Sequence, residues 1–410
     1  MTVPTGLASY AAHAAHPDAV ALFEDCSPQT STAGPTVFNS GSVSNGSYQL
    51  VVAPFDNVGN KGDHTVTFEL EGVGFGSASA PASSDEDALR SVLQDDAERG
   101  LRSNIASNRN MVNAAKERLI NGEAGIDVPL DASGTFESGN TTISSKGTFY
   151  GLANLGNGMR RLVFGDFDIQ RDGETGSSTA SLNGKVAWEQ TVSDNTLLGY
   201  FVGGELARSN IAGAFDGSQN RFAVSLGGYA VHEVAHQVYL DGFASLGVGR
   251  NNLNISNGVV DLDSEYTTRT ATLGAALSAV IEQKGFEIWP ELSFNYGKTW
   301  LGDVAFTGGN TLTIDAGSVT LANLLFRPEF RVPLDGAQQK ESLQLFTFAP
   351  RLVCEHVKAT VSETDCGAGA EFGFSGNSSD GLSNVSAKVM ADRIGGGTNS
   401  SLQLNLEHRF

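Results

Sequence analysis

From Arg161 to the C-terminus, apolar and polar residues alternate in short runs along the chain. Leu182, Gly184, Val186 and Trp188 are set against Asn183, Lys185, Ala187 and Glu189. Ile288, Leu292, Phe294 and Tyr296 are set against Glu291, Ser293 and Asn295, and Phe326, Phe330 and Val332 against Arg327, Glu329 and Arg331. Successive side chains of a strand point to opposite faces, so each run predicts a strand with one lipid-like face and one charged face. About twelve such strands are predicted, beginning near Arg161, Ser181, Leu197, Arg221, Val238, Arg269, Phe286, Ala322, Leu343, Cys366, Ser383 and Ser400. The last, SSLQLNLEHRF, alternates Leu402, Leu404 and Leu406 with Gln403, Asn405 and Glu407.

A different period precedes them. From Ser83 to Asn121, Leu89, Leu93, Ala97, Leu101, Ile105, Val112, Ala115 and Leu119 recur at helical spacing. Ser83 with Glu86 fits a capping box, and Gly122 fits a C-terminal stop. The apolar stripe is narrow, and Gly100 predicts a kink. The remaining surface carries Arg99, Arg102, Arg109, Lys116 and Arg118, with Asn104, Asn108, Asn110 and Asn113. Such a helix is either a solvated linker or coiled-coil fragment, or it is lodged in a polar tube.

A soluble sandwich alternates as well, so periodicity alone leaves the inward face open. Three features favour a membrane barrel: an even strand count, charge concentrated on one face beside a polar helix that needs a home, and connections that alternate in length. Ser193–Asn195 and Glu282–Gly285 are short, whereas Ser209–Asn220, Asn251–Glu265 and Lys298–Ser318 read as long polar loops. Pro290, Pro328 and Pro350 each remove a ladder donor and predict bulges. The fold class is thus all-β with one long helix: a twelve-stranded antiparallel transmembrane barrel over residues 161–410, a helix over 83–122 in its lumen, and a connecting segment with short strands over 123–160. An eight-stranded barrel is filled by its own side chains and a sixteen-stranded one leaves a channel, so about twelve strands leave room for one helix.

Composition agrees. Charged residues are 18%, below the roughly 25% usual for soluble domains. The 49 glycines among 410 residues exceed the ~7% average and favour turns and sheet over helix. A net charge of −20 argues against a nucleic-acid partner, which needs a basic face. No run approaches the apolar length of a transmembrane helix, which leaves a barrel open. Residues 1–82 are rich in Ser, Gly, Thr and Asn, with strand-like runs at Tyr48–Phe55 and His64–Phe75, and read as the end of a β-rich exported region. Lacking a basic start and an apolar core, the N-terminal stretch is not expected to be a signal peptide.

Of the three cysteines, Cys354 and Cys366 face each other if their hairpin turns near Thr360. A disulfide in an oxidising compartment and two free thiols are both open readings, and Cys26 has no obvious partner. His13 and His16, three apart with no second pair nearby, read as solvated surface. His232-Glu233-Val234-Ala235-His236 matches HExxH, which on a helix presents two imidazoles to zinc and a general base. Gly227 and Gly228 precede it and no third ligand follows at the expected spacing, so a turn between strands is the preferred reading. No GxSxG, P-loop or dinucleotide fingerprint occurs, so no enzyme activity, cofactor or metal is expected.

The linker SNIASNRNMVNAAKERLI, the strands FEIWPELSFNYGK and YLDGFASLGVGR and the terminal SLQLNLEHRF together resemble the translocator unit of autotransporters, the type V secretion system of Gram-negative bacteria, particularly the large alphaproteobacterial type. The likeness spans Ser83 to Phe410. It implies an outer-membrane barrel that anchors and exports an N-terminal passenger to the cell surface, with the linker helix threading the lumen. Arg99, Arg102, Asn108, Arg109 and Asn113 would lie on the pore helix, facing the carboxylates of Asp166, Asp168, Glu189, Glu205, Glu291 and Glu371. Leu402, Leu404, Leu406 and Phe410 look like the signal read by the barrel-assembly machinery. His408 stands where the family usually has Tyr. The terminal strand would close on the strand near Arg161–Gln170. No adjacent asparagine pair lies in the linker helix, so self-cleavage there is not expected. Lipid, the assembly machinery and its own passenger are the implied partners of a monomeric barrel. The alternatives are a surface adhesin anchored by the barrel and a zinc metallopeptidase.

Overall fold

The computed structural model describes residues 12–14, 46–52, 64–70, 83–120, 128–139, 142–156, 158–173, 176–257, 261–307, 312–334, 344–378, 382–394 and 397–409. His16, Cys26, Asn121 and Phe410 lie outside them. The chain divides into two compact units. The first contains β1 (Ala12–Ala14), β2 (Gly46–Val52) and β3 (His64–Leu70), an antiparallel sheet in that order. His13 lies in β1.

The second unit holds helix α1 (Ser83–Ile120) from Ala88 onward and a closed barrel. The barrel strands are β4 (Val128–Gly139), β5 (Thr142–Gly156), β6 (Met159–Asp172), β7 (Ser178–Ser193), β8 (Thr196–Ile211), β9 (Asp216–Ala235), β10 (Val238–Ser256), β11 (Asp261–Ala279), β12 (Ile281–Gln283), β13 (Phe286–Trp300), β14 (Asp303–Thr307), β15 (Leu312–Asp315), β16 (Ser318–Pro333), β17 (Gln344–Lys358), β18 (Ser362–Asn377), β19 (Ser383–Ile394) and β20 (Gly397–Arg409). All its pairings are antiparallel neighbours. β12 continues β11, β14 continues β13, and β15 leads into β16. Counted this way, the described residues form fourteen strands rather than the twelve expected.

The two additional strands, β4 and β5, occupy the stretch expected to be a connector. Their outward residues alternate large with small: Phe136 is flanked by Gly134 and Ser138, and Phe149 by Gly147 and Gly151. The hydrophobic signal is therefore diluted although the ladder is complete. Closure changes accordingly. β20 pairs with β4, with Leu404 opposite Phe136 and Leu406 opposite Gly134, and not with the strand at Arg161.

The alternation reads directly as inside and outside. Leu182, Leu206, Phe222, Leu246, Leu273, Phe326, Leu352, Phe374, Val389 and the terminal Leu402, Leu404 and Leu406 are exposed on the outer face. Glu189, Glu205, Gln219, Asp241 and Asn251 are buried within. This inverts a soluble protein, as expected where the outer medium is lipid. Leu404→Arg, placing a cation on that face, is expected to lower folding stability by about 2–4 kcal/mol if at mid-bilayer depth, read from urea titration of barrel folding into lipid vesicles.

The connections expected to be long loops are mostly strand. β8 runs to Ile211 and β9 starts at Asp216; β10 runs to Ser256 and β11 starts at Asp261. The 19 residues of β10 exceed the ~9–11 that cross a bilayer. Its outward face turns polar after Val248, with Arg250 paired to Glu265 and Asn254 donating to Asp263. Here the alternation inverts, with Asn252 and Asn254 outward and Leu253 and Ile255 buried inward, and backbone pairing continues.

The prolines produce no bulge. Pro290 pairs with Pro328 in an unbroken register, and Pro328 lies opposite Pro350 in a β16–β17 ladder whose register is the same on both sides of the gap. The missing donors instead interrupt pairing locally. The break between β11 and β12 falls opposite Pro290, and Val280 donates to the Gln237 carbonyl instead, at 2.9 Å. Register shifts occur near strand ends, at Val128/Asp131, Asn154/Gly156, Thr191/Ser193 and Val238/Tyr239.

Cys354 and Cys366 are cross-strand partners joined by a disulfide. Thiol titration of the unreduced, denatured chain is expected to find one thiol, Cys26, and all three only after reduction.

Candidate functional site: the helix in the barrel lumen

Helix α1 runs from the end of the barrel marked by the β8–β9 and β10–β11 turns to the end marked by the β7–β8 and β9–β10 turns. At the first end Arg90 donates to the Asp315 carbonyl at 3.1 Å and Gln94 to the Ala316 carbonyl at 3.0 Å. Gln94 also accepts from the Thr360 amide and hydroxyl, at 3.1 and 2.9 Å. Three of these four contacts satisfy a backbone group at a barrel turn.

Below this, Asp96 is a buried hub. It accepts from Ser209 at 2.7 Å, Gln219 at 2.6 Å and Arg221 at 3.0 Å. Arg221 reaches on to Glu205 at 2.6 Å. Gly100 lets it do so: a Cβ there would sit 2.5 Å from the Arg221 guanidinium. The helix continues through Gly100, so this residue serves close approach rather than the expected kink. Gly297 makes the same room on the wall, where a Cβ would meet Leu101 at 2.6 Å.

The middle of the helix is held by neutral and mixed contacts. Ser107 donates to Asp166, which also accepts from Asn183 at 2.8 Å. Asn108 donates to Ser245 and to Thr272, each at 3.1 Å. Farther along, Arg109 reaches Asp241 at 2.6 Å, and Lys116 reaches Asp241 at 3.1 Å and Glu291 at 3.4 Å. In the last turn Arg118 meets Glu189 at 2.6 Å, where Tyr229 also donates to the carboxylate at 2.5 Å. Arg118 and Glu189 are almost completely buried. Charge-assisted bonds of this kind are strong and directional, and in a low dielectric each partner depends on the other.

Between these pairs the apolar stripe packs. Leu101, Ile105, Met111, Val112, Ala115 and Leu119 share one core with Leu162, Phe164, Leu197, Phe201, Tyr229, Val231, Tyr239 and Phe243 of the wall.

Arg102 binds Glu355 through both nitrogens, at 2.7 and 2.6 Å. Arg109 lies 3.9 Å from Glu291, farther than from Asp241. Arg99 pairs with Asp96 of its own helix at 3.6 Å. Asn113 is half-buried, and its side-chain oxygen has no hydrogen-bond partner. Asp168 accepts from Gln170 at 2.5 Å, and Glu371 binds Arg327 and Arg351, each at 2.9 Å, within the wall. Asp241 and Glu355 were missed. Both sit on inward positions of their strands, and parity with Phe243 and Val353 is the signal that would have found them.

HExxH lies at the end of β9 and in the β9–β10 turn, not on a helix. His232 contacts Thr196 and the Asn195 carbonyl, at 2.8 and 3.2 Å, and Glu233 accepts from the Gln237 amide at 2.8 Å. In β20, His408 contacts Ser383 at 2.9 Å and follows the leucines on the outward parity.

Residues 161–346 match the family described as "Autotransporter beta-domain". Over these residues the barrel is similar to that family. Solved structures similar to the chain include the translocator domain of autotransporter NalP from Neisseria meningitidis, at 14% identity and TM-score 0.41, covering 76% of this chain and 98% of that one. Another is the β-domain of the Bordetella autotransporter BrkA, at 14% identity and TM-score 0.41, covering 69% and 100%. A third is the CymD monoaromatic hydrocarbon channel, at 10% identity and TM-score 0.43, covering 68% and 88%. Among curated proteins none matches. The family match runs through β6–β16 of the barrel and just into β17, the arc that holds Asp166, Glu189, Asp241 and Glu291 against the helix.

Proposed function

We propose that this barrel is the outer-membrane translocator of an autotransporter and holds α1 as the plug left after export, with the residues that precede the helix outside the cell. The observation that carries the reading is the set of ion pairs from Arg102, Arg109, Lys116 and Arg118 to Glu355, Asp241, Glu291 and Glu189. Such a distribution along one helix fixes its depth and rotation. The C-terminal end of β20 lies at the same end of the barrel as the end of the helix. Assembly of outer-membrane barrels from the inside places that end in the periplasm, so the start of the helix points outward. Leu402, Leu404 and Leu406, with Phe410, then serve as the signal for the barrel-assembly machinery, and the barrel works as a monomer with lipid around it.

The test is expression with its N-terminal residues in a Gram-negative host. Residues 1–82 are expected to be cut by external protease on intact cells, and removal of residues 397–410 should abolish both surface exposure and heat-modifiable migration. Cleavage only after the outer membrane is permeabilised would overturn the proposed orientation.

A further inference from the structure

On the outer face of the barrel, cations stand at one level. β6, β8, β10 and β13 begin at Met159, Thr196, Val238 and Phe286, and Arg171, Arg208, Arg250 and Lys298 each come twelve residues later. All four follow the outward parity of their strands, continuing Ile169, Leu206, Val248 and Tyr296. At about 3.3 Å per residue and a tilt near 40°, twelve residues climb about 30 Å, just past an apolar band about 25 Å tall. Below that level, from Val163 to Ile169, Leu198 to Leu206, Leu240 to Val248 and Ile288 to Tyr296, no outward residue is charged. In a chain of net charge −20, cations gathered at this height run against the overall balance.

Under two of them the wall is shaped. Phe167, Leu182, Leu206 and Phe222 are exposed and floor a groove of about 590 Å³ bordered by Arg208 and Arg250. Arg208 lies opposite Asn220 of β9, and Arg250 lies opposite Phe222 on the other side of that strand. The two arginines therefore stand on strands whose axes are about 10 Å apart, within reach of one anion between them. Among the described residues Arg208 has no ion pair or hydrogen bond. Arg250 pairs with Glu265, but 66% and 57% of those side chains are exposed, so the pair is hydrated and weak.

The groove continues towards mid-membrane. Gly165, Gly184 and Gly204 lie side by side on β6, β7 and β8, each two residues inward of Phe167, Leu182 and Leu206. A Cβ on Gly184 would meet nothing within 4 Å, and one on Gly204 only a carbonyl oxygen at 3.9 Å. Gly184 and Gly204 thus form a notch in the lipid-facing wall. Farther down, Trp188 stacks on Tyr200 at 5.3 Å, as residues of an aromatic girdle do at the opposite interface.

We infer that this groove binds a phosphorylated, multiply acylated glycolipid of the outer leaflet, with a phosphate between Arg208 and Arg250 and an acyl chain over Gly184 and Gly204. Planar guanidinium groups match phosphate oxygens in geometry and charge. Arg171, at the same height on β6, is placed for a second phosphate of the same molecule. The apolar floor spans β6–β9, about 14 Å of sheet, which accommodates several chains side by side and favours a glycolipid over a two-chain phospholipid.

The inference rests on the proposed orientation, which puts this end of the barrel in the outer leaflet. Full-length protein purified in detergent, titrated with diphosphorylated hexa-acyl lipid A and read by native mass spectrometry, is expected to bind one molecule. Arg208→Gln with Arg250→Gln should weaken binding about tenfold or more, and Gly184→Leu should weaken it while leaving both arginines in place. Arg161→Gln, an outward cation at the other end of β6, should change nothing. Heat-modifiable migration verifies that each variant is folded. Unaltered binding in the double arginine variant, or equal binding of lipid A stripped of its phosphates, would overturn the site. Equal binding of phosphatidylglycerol would overturn the glycolipid assignment. Protein that binds lipid A as expected while residues 1–82 resist external protease on intact cells would overturn the orientation and leave the phosphate site standing.

Discussion

Glu189→Ala is expected to destabilise the folded barrel by about 3–5 kcal/mol, because it leaves the Arg118 guanidinium as a buried charge without its counterion. Arg118 and Glu189 are 2% and 1% exposed, and the Tyr229 hydroxyl loses its acceptor in the same change. Desolvation makes breaking the pair far more costly than removing it. The double replacement Arg118→Met with Glu189→Met is therefore expected to recover most of the loss. Urea unfolding in detergent, followed by the shift between folded and unfolded bands, measures both. A double variant as unstable as the single one would show that the pair is not the source of the effect.

Deleting residues 83–120 is expected to raise single-channel conductance by about tenfold or more, since a lumen of this strand number is otherwise an open channel. The barrel should survive this change better than it survives Glu189→Ala. Without the helix, Asp166, Glu189, Asp241 and Glu291 face water and are hydrated, so no charge is stranded in a low dielectric. Heat-modifiable migration verifies folding before the conductance is read. A folded, deleted barrel whose conductance equals that of the intact protein would mean that the helix does not occupy the lumen in the membrane.

Much of this architecture was legible in the residues. Alternation through Leu182–Glu189 and Ile288–Tyr296 gave strand identity and facing, because the side-chain period of a strand is fixed by the backbone. The stripe from Leu89 to Leu119 and the basic and asparagine-rich remainder gave a helix for a polar surround. The cross-strand position of Cys354 and Cys366 followed from a short hairpin. Where the physical signal was weak, the reading failed. β4 and β5 alternate bulky with small outward residues, so they read as connector, and the closing partner of β20 was misassigned with them. The ends of β8, β10 and β11 turn their outward faces polar and keep apolar residues such as Ile211, Leu253, Ile255 and Leu262 inside, so they lack the lipid-facing signal and read as loops. The prolines break individual hydrogen bonds, and the fixed neighbours on either side in a closed barrel keep the register from slipping.

The sequence by itself determined an all-β chain with one helix, the lipid-facing parity of each strong strand, and the presence of cations on the helix and carboxylates on the wall. Those properties are local and repeat at the period of the backbone. Only the tertiary structure decided the number of strands, that β20 closes on β4, and which carboxylate meets which cation. Each depends on the curvature at which the sheet closes and on the rotation of the helix within it. Residues far apart in the chain, such as Arg118 and Glu189 or Arg102 and Glu355, share those quantities, and no short stretch encodes them.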